Sequence, residues 1–150
     1  MAKNVRELAN STDTAQLEFV LMFALKTKHR YNPLYTQGVE GTGTIGGYDK
    51  SELKTYIEGT IWPLFPNAWR EIIKECKITS YGRDINGEGI EMESTAKICP
   101  LSYREVFGGK MIETTGPEYG FAFPGDNLRI MKYGNSSANY WLRSSVTTST

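Results

Sequence analysis

The glycines at residues 41–46 follow the pattern G-x-G-x-x-G, which is known from nucleotide-binding loops. That pattern marks a dinucleotide-binding loop only when a buried apolar strand precedes it and a helix opens at its last glycine. Residues 35–40 (YTQGVE) are not such a strand, and Lys50-Ser51 lacks the glycine spacing of a phosphate-binding loop. We therefore expect a flexible loop here and no nucleotide cofactor.

Acid–base chemistry has few candidate residues. His29 is the single histidine, and a lone histidine more often makes a structural hydrogen bond than a catalytic one. Glu91 and Glu93 would share one face of a strand, which makes general acid–base work conceivable, but a solvated strand face is the simpler interpretation. We expect no catalytic residue.

Metal and thiol chemistry are also weakly supported. Asp84, Asn86 and Glu88 alternate like calcium ligands, but the twelve-residue calcium-loop pattern is absent, so a side-chain-stabilised turn is favoured. Cys76 and Cys99 lie among isoleucine and leucine, and we expect buried, reduced thiols. One histidine and two distant cysteines do not make a zinc site. We expect neither metal nor cofactor.

The composition is that of one globular domain of 150 residues, with 17 basic and 17 acidic side chains. Zero net charge argues against a nucleic-acid or anionic-membrane partner and leaves little repulsion against self-association. The longest apolar run, residues 19–25, is too short to cross a bilayer, and no signal peptide is visible. We expect an N-terminal arm over residues 1–16, or a short helix there, and one domain over residues 17–150.

The sequence predicts several short helices and several short strands joined by long loops, which indicates an α+β fold. Residues 17–25 favour a strand, although a short buried helix has the same pattern. Ser51 or Asp49 caps a helix that ends near Gly59, and Asn67 caps a second helix whose apolar face runs to Cys76. The remaining predictions are a loop over residues 29–48, a hairpin of strands 77–81 and 91–98 with a turn at 83–89, short helices at 101–107 and 128–132, and a strand at 140–146.

Four segments, in this order, resemble a family of uncharacterised domains: YNP at residues 31–33, GGYDKSELKTYI at 46–57, LSYREVFG at 101–108 and YWLRS at 140–144. The family is marked by GGW-x-x-SELR, S-x-x-EVFG and a closing YWLRS. It is found in bacterial surface proteins and in phage or prophage structural proteins, and it is similar to C-type-lectin-like folds and relatives of the formylglycine-generating enzyme. The resemblance covers about residues 19–145.

The resemblance implies a C-type-lectin-like domain, with short helices on a small, mostly antiparallel sheet and long loops. Its motif residues would be structural, with Tyr48 and Trp141 as core anchors and Arg143 as a fork for a carboxylate. The other motif residues would be Leu53, Tyr56 and Phe107. Similar chains continue beyond YWLRS, so we expect either a truncated version or a sheet completed by a partner chain.

In C-type-lectin-like folds the binding surface usually lies in variable loops, which here means residues 110–139 and those beyond 145. The candidate binding residues are Tyr119, Phe121, Phe123, Asp126, Asn127, Tyr133 and Asn135. The calcium tripeptides of sugar-binding lectins and the cysteine motifs of the formylglycine enzymes are missing, so neither chemistry carries over.

The resemblance, together with the missing signal peptide and the neutral charge, implies a non-catalytic virion component of a phage or prophage, made in the host cytoplasm. It would serve as a tail, fibre or capsid-decoration protein. Its partners would be copies of itself, other virion proteins, or a glycan or protein of the host surface. The alternative is a bacterial cell-surface module that binds a glycan or a protein.

Overall fold

A computed structural model describes residues 6–15, 17–19, 27–107, 132–133, 135–137 and 142–144. The elements in these ranges are α-helices α1 (Glu52–Tyr56), α2 (Asn67–Ile72) and α3 (Tyr103–Phe107), and strands β1 (Cys76–Arg83), β2 (Gly89–Ala96), β3 (Lys132–Tyr133) and β4 (Ser136–Ser137). Pairing is antiparallel within β1–β2 and within β3–β4. The predicted α+β class is confirmed.

The β1–β2 hairpin is the main sheet, with Cys76 opposite Ala96 and Arg83 opposite Gly89. Its five-residue turn contains Asn86-Gly87, with Gly87 at φ +90°. Glycine adopts such a left-handed conformation without a steric cost. The prediction of a hairpin is confirmed, although the strand ends lie one or two residues away from the predicted positions.

The other edge of β1 is protected at both ends by other segments of the chain. The amide of Lys77 donates to the carbonyl of Glu7 (2.9 Å), and the amide of Arg83 donates to the carbonyl of Thr44 (3.0 Å). An unpaired strand edge invites aggregation, so this covering matters for solubility. Within the predicted arm, the described residues 6–15 are thus neither a free arm nor a helix. Residues 6–15 form a turn, closed by the Glu7–Thr14 bridge, that docks on β1.

The glycine-rich residues 41–47 cross closely over β1. Ile45 is 1% exposed, and its backbone bridges Arg83 in parallel. A Cβ built on Gly82 would lie 2.6 Å from the Cα of Gly47, so only two glycines allow the backbones this close. Residues 44–47 are therefore a packed crossing, and the expectation of a flexible loop is wrong for them.

Helix α1 starts as predicted but continues differently. Ser51 caps it, and the chain then passes into a π-helical turn (Ile57–Ile61) and a 3-10 turn (Trp62–Leu64). Gly59 lies inside the π-helical turn and does not end the helix. Pro63 has no N–H to donate to a carbonyl of the preceding turn, which accounts for the change of winding just before it.

Helix α2 departs further from the prediction. Its N-cap is Pro66, not Asn67, and Cys76 belongs to β1. Trp69 is 48% and Ile72 71% exposed, so the expected buried face is wrong. None of the residues of α2 belongs to the buried hydrophobic cluster. That cluster consists of Tyr31, Tyr48, Leu53, Ile78 and Ala96, with Ile57 and Cys99 packed against them.

Three other predicted elements, at residues 17–25, 128–132 and 140–146, lie only partly within the described residues. Residues 17–19 form no regular strand, and Leu17 and Phe19 are exposed because the side chain between them, Glu18, turns inward. Lys132 lies in β3 rather than in a helix, and residues 142–144 are not strand. The remaining parts, residues 20–25, 128–131, 140–141 and 145–146, lie outside the described residues.

Candidate functional site

Arg143 is a buried arginine that binds a carboxylate with both ends of its guanidinium. Nη1 donates to Oε2 of Glu105 at 2.8 Å, and Nη2 donates to Oε1 of the same residue. Each side chain is only 1% exposed. Such a two-bond fork is the strongest hydrogen-bonding arrangement available to arginine. The expectation that Arg143 forks a carboxylate is confirmed.

The remaining donors of Arg143 hold the surrounding backbone. Nε donates to the carbonyl of Thr79 at 2.7 Å, and Nη1 donates to the carbonyl of Pro100 at 2.7 Å. The Sγ of Cys99 lies 3.8 Å from Nη1. Because Thr79 is in the middle of β1, the guanidinium covers the strand edge between the segments that protect its two ends.

Glu105 also caps the helix in which it lies. The hydroxyl of Ser102 accepts from the amide of Glu105 at 3.1 Å, and Oε2 of Glu105 accepts from the amide of Ser102 at 2.8 Å. This reciprocal pair is a capping box, which satisfies two N–H groups that a helix start leaves unpaired. One carboxylate therefore both starts α3 and anchors Arg143.

A second arginine completes the cluster. Nη2 of Arg6 donates to Oε1 of Glu105, and its Nε donates to Oε1 of Glu18 at 2.7 Å. Two guanidinium groups thus face two carboxylates, and their formal charges cancel. We call Arg6, Glu18, Glu105 and Arg143 the Arg143 cluster. It joins residues 6–15, residues 17–19 and residues 142–144 to α3.

The electrostatics of the cluster favour ionised Glu105. Burial raises the pKa of this carboxyl, but the charges and hydrogen bonds of Arg143 and Arg6 outweigh it, and the pKa lies below its usual range. Burial raises the pKa of the Cys99 thiol, against the influence of Arg143. Cys76 and Cys99 are both free, as expected, although each residue is half-buried rather than buried. The cluster provides charge neutralisation in the interior, not an activated nucleophile.

The YNP and SEL segments meet at the start of α1. The hydroxyl of Ser51 accepts from the amide of Lys54 at 3.0 Å and donates to the carbonyl of Tyr48 at 2.7 Å. The side chain of Asn32 accepts from the amide of Glu52 (2.7 Å) and donates to the carbonyl of Gly43 (3.0 Å). The side chains of Asn32 and Ser51 therefore position the backbone at the start of α1.

His29 lies beside the same helix. Its ring stacks on Tyr56 with centroids 4.0 Å apart, and Nε2 is 3.7 Å from a carboxylate oxygen of Glu52. Glu91 and Glu93 lie on β2, opposite Tyr81 and Thr79. The contacts place His29 in a structural stacking arrangement at α1, consistent with the expected structural role.

Asp84 stabilises the hairpin turn. Its Oδ1 accepts from the amides of Asn86 (2.9 Å) and Glu88 (2.8 Å). The hydrogen bond from the Glu88 amide contributes most to lowering the pKa of the Asp84 carboxyl below its usual range, and hydrogen bonds from Asn86 and Gly87 add to it. The predicted side-chain-stabilised turn is confirmed. Within the described ranges, no group of three or more His, Cys, Asp or Glu residues is arranged to hold a metal ion.

The predicted structural residues are distributed as follows. Tyr48 is fully buried and Leu53 nearly so, which confirms Tyr48 as a core anchor. Tyr56 is half-buried, and Phe107 is 41% exposed and packs on Tyr103 at 4.6 Å between centroids. Trp141 lies outside the described residues.

The predicted binding residues fall largely outside the described part of the chain. Tyr133 lies in β3, and Asn135 is exposed in the turn between β3 and β4. The others, Tyr119, Phe121, Phe123, Asp126 and Asn127, lie outside the described residues.

Sequence reasoning missed three members of the cluster. The S-x-x-E spacing of Ser102 and Glu105 is a capping-box signal that predicts the role of Glu105 at the helix start. Arg6 and Glu18 carry no comparable signal, since Arg6 and Glu105 are 99 positions apart. Within the described residues, none of the helices has the length and hydrophobicity that a bilayer crossing requires.

Comparisons with known proteins give one family. No curated protein and no solved structure matches the chain. A family model described as a domain of unknown function, DUF6273, matches residues 34–150, a span that includes α1 to α3, both hairpins, Glu105 and Arg143. The chain belongs to this DUF6273 family.

Proposed function

We propose that this domain is a non-catalytic binding or assembly module with a C-type-lectin-like fold, and that it serves as a tail, fibre or capsid-decoration component of a phage or prophage virion. Short helices, an antiparallel hairpin and long connecting segments are compatible with that fold. The return of residues 142–144 to the N-terminal segment through the Arg143 cluster fits a closed, rigid scaffold. Binding loops act best on such scaffolds.

The observation that carries the proposal is a set of exposed apolar residues on two loops that Tyr35 connects. We call it the loop-tip surface; its residues are Leu34, Tyr35, Val39 and Ile85. Their exposed fractions are 92%, 49%, 45% and 46%. Leu34 and Tyr35 are neighbours in the sequence, and exposed apolar residues that lie together are typical of interaction sites.

Tyr35 joins these two loops. Its Cβ lies 2.9 Å from the position of a Cβ built on Gly43, and its hydroxyl lies 3.7 Å from that built on Gly87. The guanidinium carbon of Arg83 is 6.0 Å from the ring centroid. A turn closed by the Val39 amide on the carbonyl of Thr36 (3.2 Å) shapes the first loop. The apolar residues are therefore presented on an ordered support.

The experiment is a native mass measurement of the material that contains this chain, with identification of its co-purifying proteins. We expect a megadalton particle that contains other virion proteins. The triple variant L34S/V39S/I85S should fold but lose incorporation into that particle. The control variant L64S removes another exposed leucine, which is 75% exposed and lies outside the loop-tip surface, and should be incorporated normally.

A lone monomer in infected or induced cells would contradict the virion role. Glycan and protein-ligand screening of the wild type and the triple variant would then test the module of the bacterial surface. Normal incorporation of the triple variant would contradict the role of the loop-tip surface.

A further inference from the structure

A small cleft lies between the turns that follow α1 and the ends of the main hairpin. It has a volume of about 250 Å³ and is lined by Glu58, Trp62, Glu75, Lys97 and Ile98. Pockets for drug-sized ligands span roughly 300–1,000 Å³, so this one suits a smaller group. We call it the Trp62 cleft.

A cation already occupies the aromatic wall of the cleft. The ammonium of Lys97 lies 5.3 Å from the centroid of the Trp62 ring, within the distance at which the ring face attracts a positive charge. Within the described ranges, Lys97 forms no ion pair with a carboxylate. Phe65 supports the indole from the side, with centroids 5.8 Å apart.

Two carboxylates complete the lining. The hydroxyl of Thr95 donates to Oε1 of Glu75 at 2.6 Å, which fixes that side chain at the hairpin end. Glu58 lies on the helical turn, 3.8 Å from the ammonium of Lys54. Among the described lining residues two carboxylates stand beside one ammonium, and Glu58 also faces the Lys54 ammonium. An aromatic face flanked by acids is the combination that favours organic cations over anions.

From this arrangement we infer that the Trp62 cleft binds an organic ammonium group, and that Lys97 is an internal occupant which the ligand displaces. The ammonium can come from a free alkylamine or from a lysine side chain of a partner. Displacement of a bound group reduces the apparent affinity by the fraction of molecules in which the site is open. Removal of the Lys97 ammonium should therefore strengthen binding.

The test uses the full chain labelled with ¹⁵N, and it follows the indole N–H resonance of Trp62, assigned with W62F. We expect n-butylammonium to shift this resonance saturably, and n-butanol, its neutral analogue, to leave it unchanged. The K97M variant should bind n-butylammonium about tenfold more tightly, as expected if Lys97 occupies the site roughly nine-tenths of the time. The matched control K28M removes an exposed lysine from elsewhere and should bind like the wild type.

A second variant tests the carboxylates. E58Q/E75Q should weaken binding about fivefold, the effect of two exposed carboxylate–cation contacts. A peptide acetyl-Gly-Lys-Gly-amide, compared with its norleucine counterpart, distinguishes the sources: tighter binding than n-butylammonium assigns a partner's lysine, and weaker binding assigns a free amine. Equal affinities of wild type and K97M, or an equal shift with n-butanol, would overturn the inference.

Discussion

The carboxylate of Glu105 accepts hydrogen bonds from the guanidinium of Arg143, 38 positions later in the sequence. The same carboxylate caps the first turn of its own helix. The local capping box fixes the direction in which the carboxylate points. The fork then holds residues 142–144 against α3, and the Arg143 Nε bond to Thr79 holds them against β1. A short helix in this way aligns the C-terminal motif with the sheet.

We predict that E105Q strongly destabilises the domain. Glutamine keeps the size of the side chain but leaves Arg143 buried without a compensating charge, and leaves Arg6 with Glu18 as its carboxylate partner. Breaking a buried ion pair by neutralising one partner typically costs about 3–5 kcal/mol. Urea unfolding should show this loss for E105Q, whereas E93Q on the exposed position of β2 should stay within about 0.5 kcal/mol of the wild type.

The stability should depend on pH through Glu105. Its pKa in the folded state lies below that of an unfolded-state glutamate, which is about 4.3. The stabilising contribution is therefore complete above that unfolded-state pKa and is lost as the pH falls through the lower, folded-state pKa. Unfolding measurements from pH 7 down to pH 3 should show a decline in the wild type and a shallower one in E105Q. Parallel curves for the two proteins would rule out this contribution.

We predict that G82A is destabilising because of the glycine crossing over β1. A Cβ on Gly82 would lie 2.6 Å from the Gly47 Cα and 2.9 Å from its nitrogen, both backbone atoms that cannot move independently. Overpacking of this kind costs about 1–3 kcal/mol. Gly59 is the matched control, since a Cβ there meets nothing within 4 Å and alanine favours helical winding. G59A should therefore be neutral or stabilising, and equal effects of the two substitutions on the melting temperature would contradict the crowding argument.

The Ser51 cap gives a further prediction. S51A removes the acceptor for the amide of Lys54 and the donor to the carbonyl of Tyr48, and it should cost about 1–2 kcal/mol. Thr60 is exposed in the π-helical turn, and T60A should have little effect. Thermal unfolding of both variants checks this, and an S51A protein as stable as T60A would show that the cap contributes nothing.

Local signals in the sequence predicted local structure well. The Asn-Gly turn between two predicted strands predicts the β1–β2 hairpin, and the capping serine predicts the start of α1. Helical spacing misassigned α2, because the pattern Trp69, Ile72, Ile73, Cys76 runs past the helix end and into β1. Ile72 is exposed although helical spacing placed it on the buried face of α2. Apolar spacing therefore indicates which helix face could be buried, and tertiary contacts decide whether it is.

The candidate site was harder to predict, because it is assembled over long distances. The resemblance implied that Arg143 would bind a carboxylate, but not which one. Arg6 and Glu18 join through contacts that no short-range pattern encodes. The loop-tip surface depends on Tyr35 meeting the hairpin turn, a contact between segments that are separate in sequence.

The most direct test of the Arg143 cluster is a double-mutant cycle between Glu105 and Arg143. Unfolding free energies of wild type, E105Q, R143M and the double variant would be measured by urea denaturation at neutral pH. We predict a coupling free energy of about 2–3 kcal/mol, since each single variant strands a buried charge that the double variant partly relieves. Additive effects of the two substitutions would contradict the claim that this pair organises the domain.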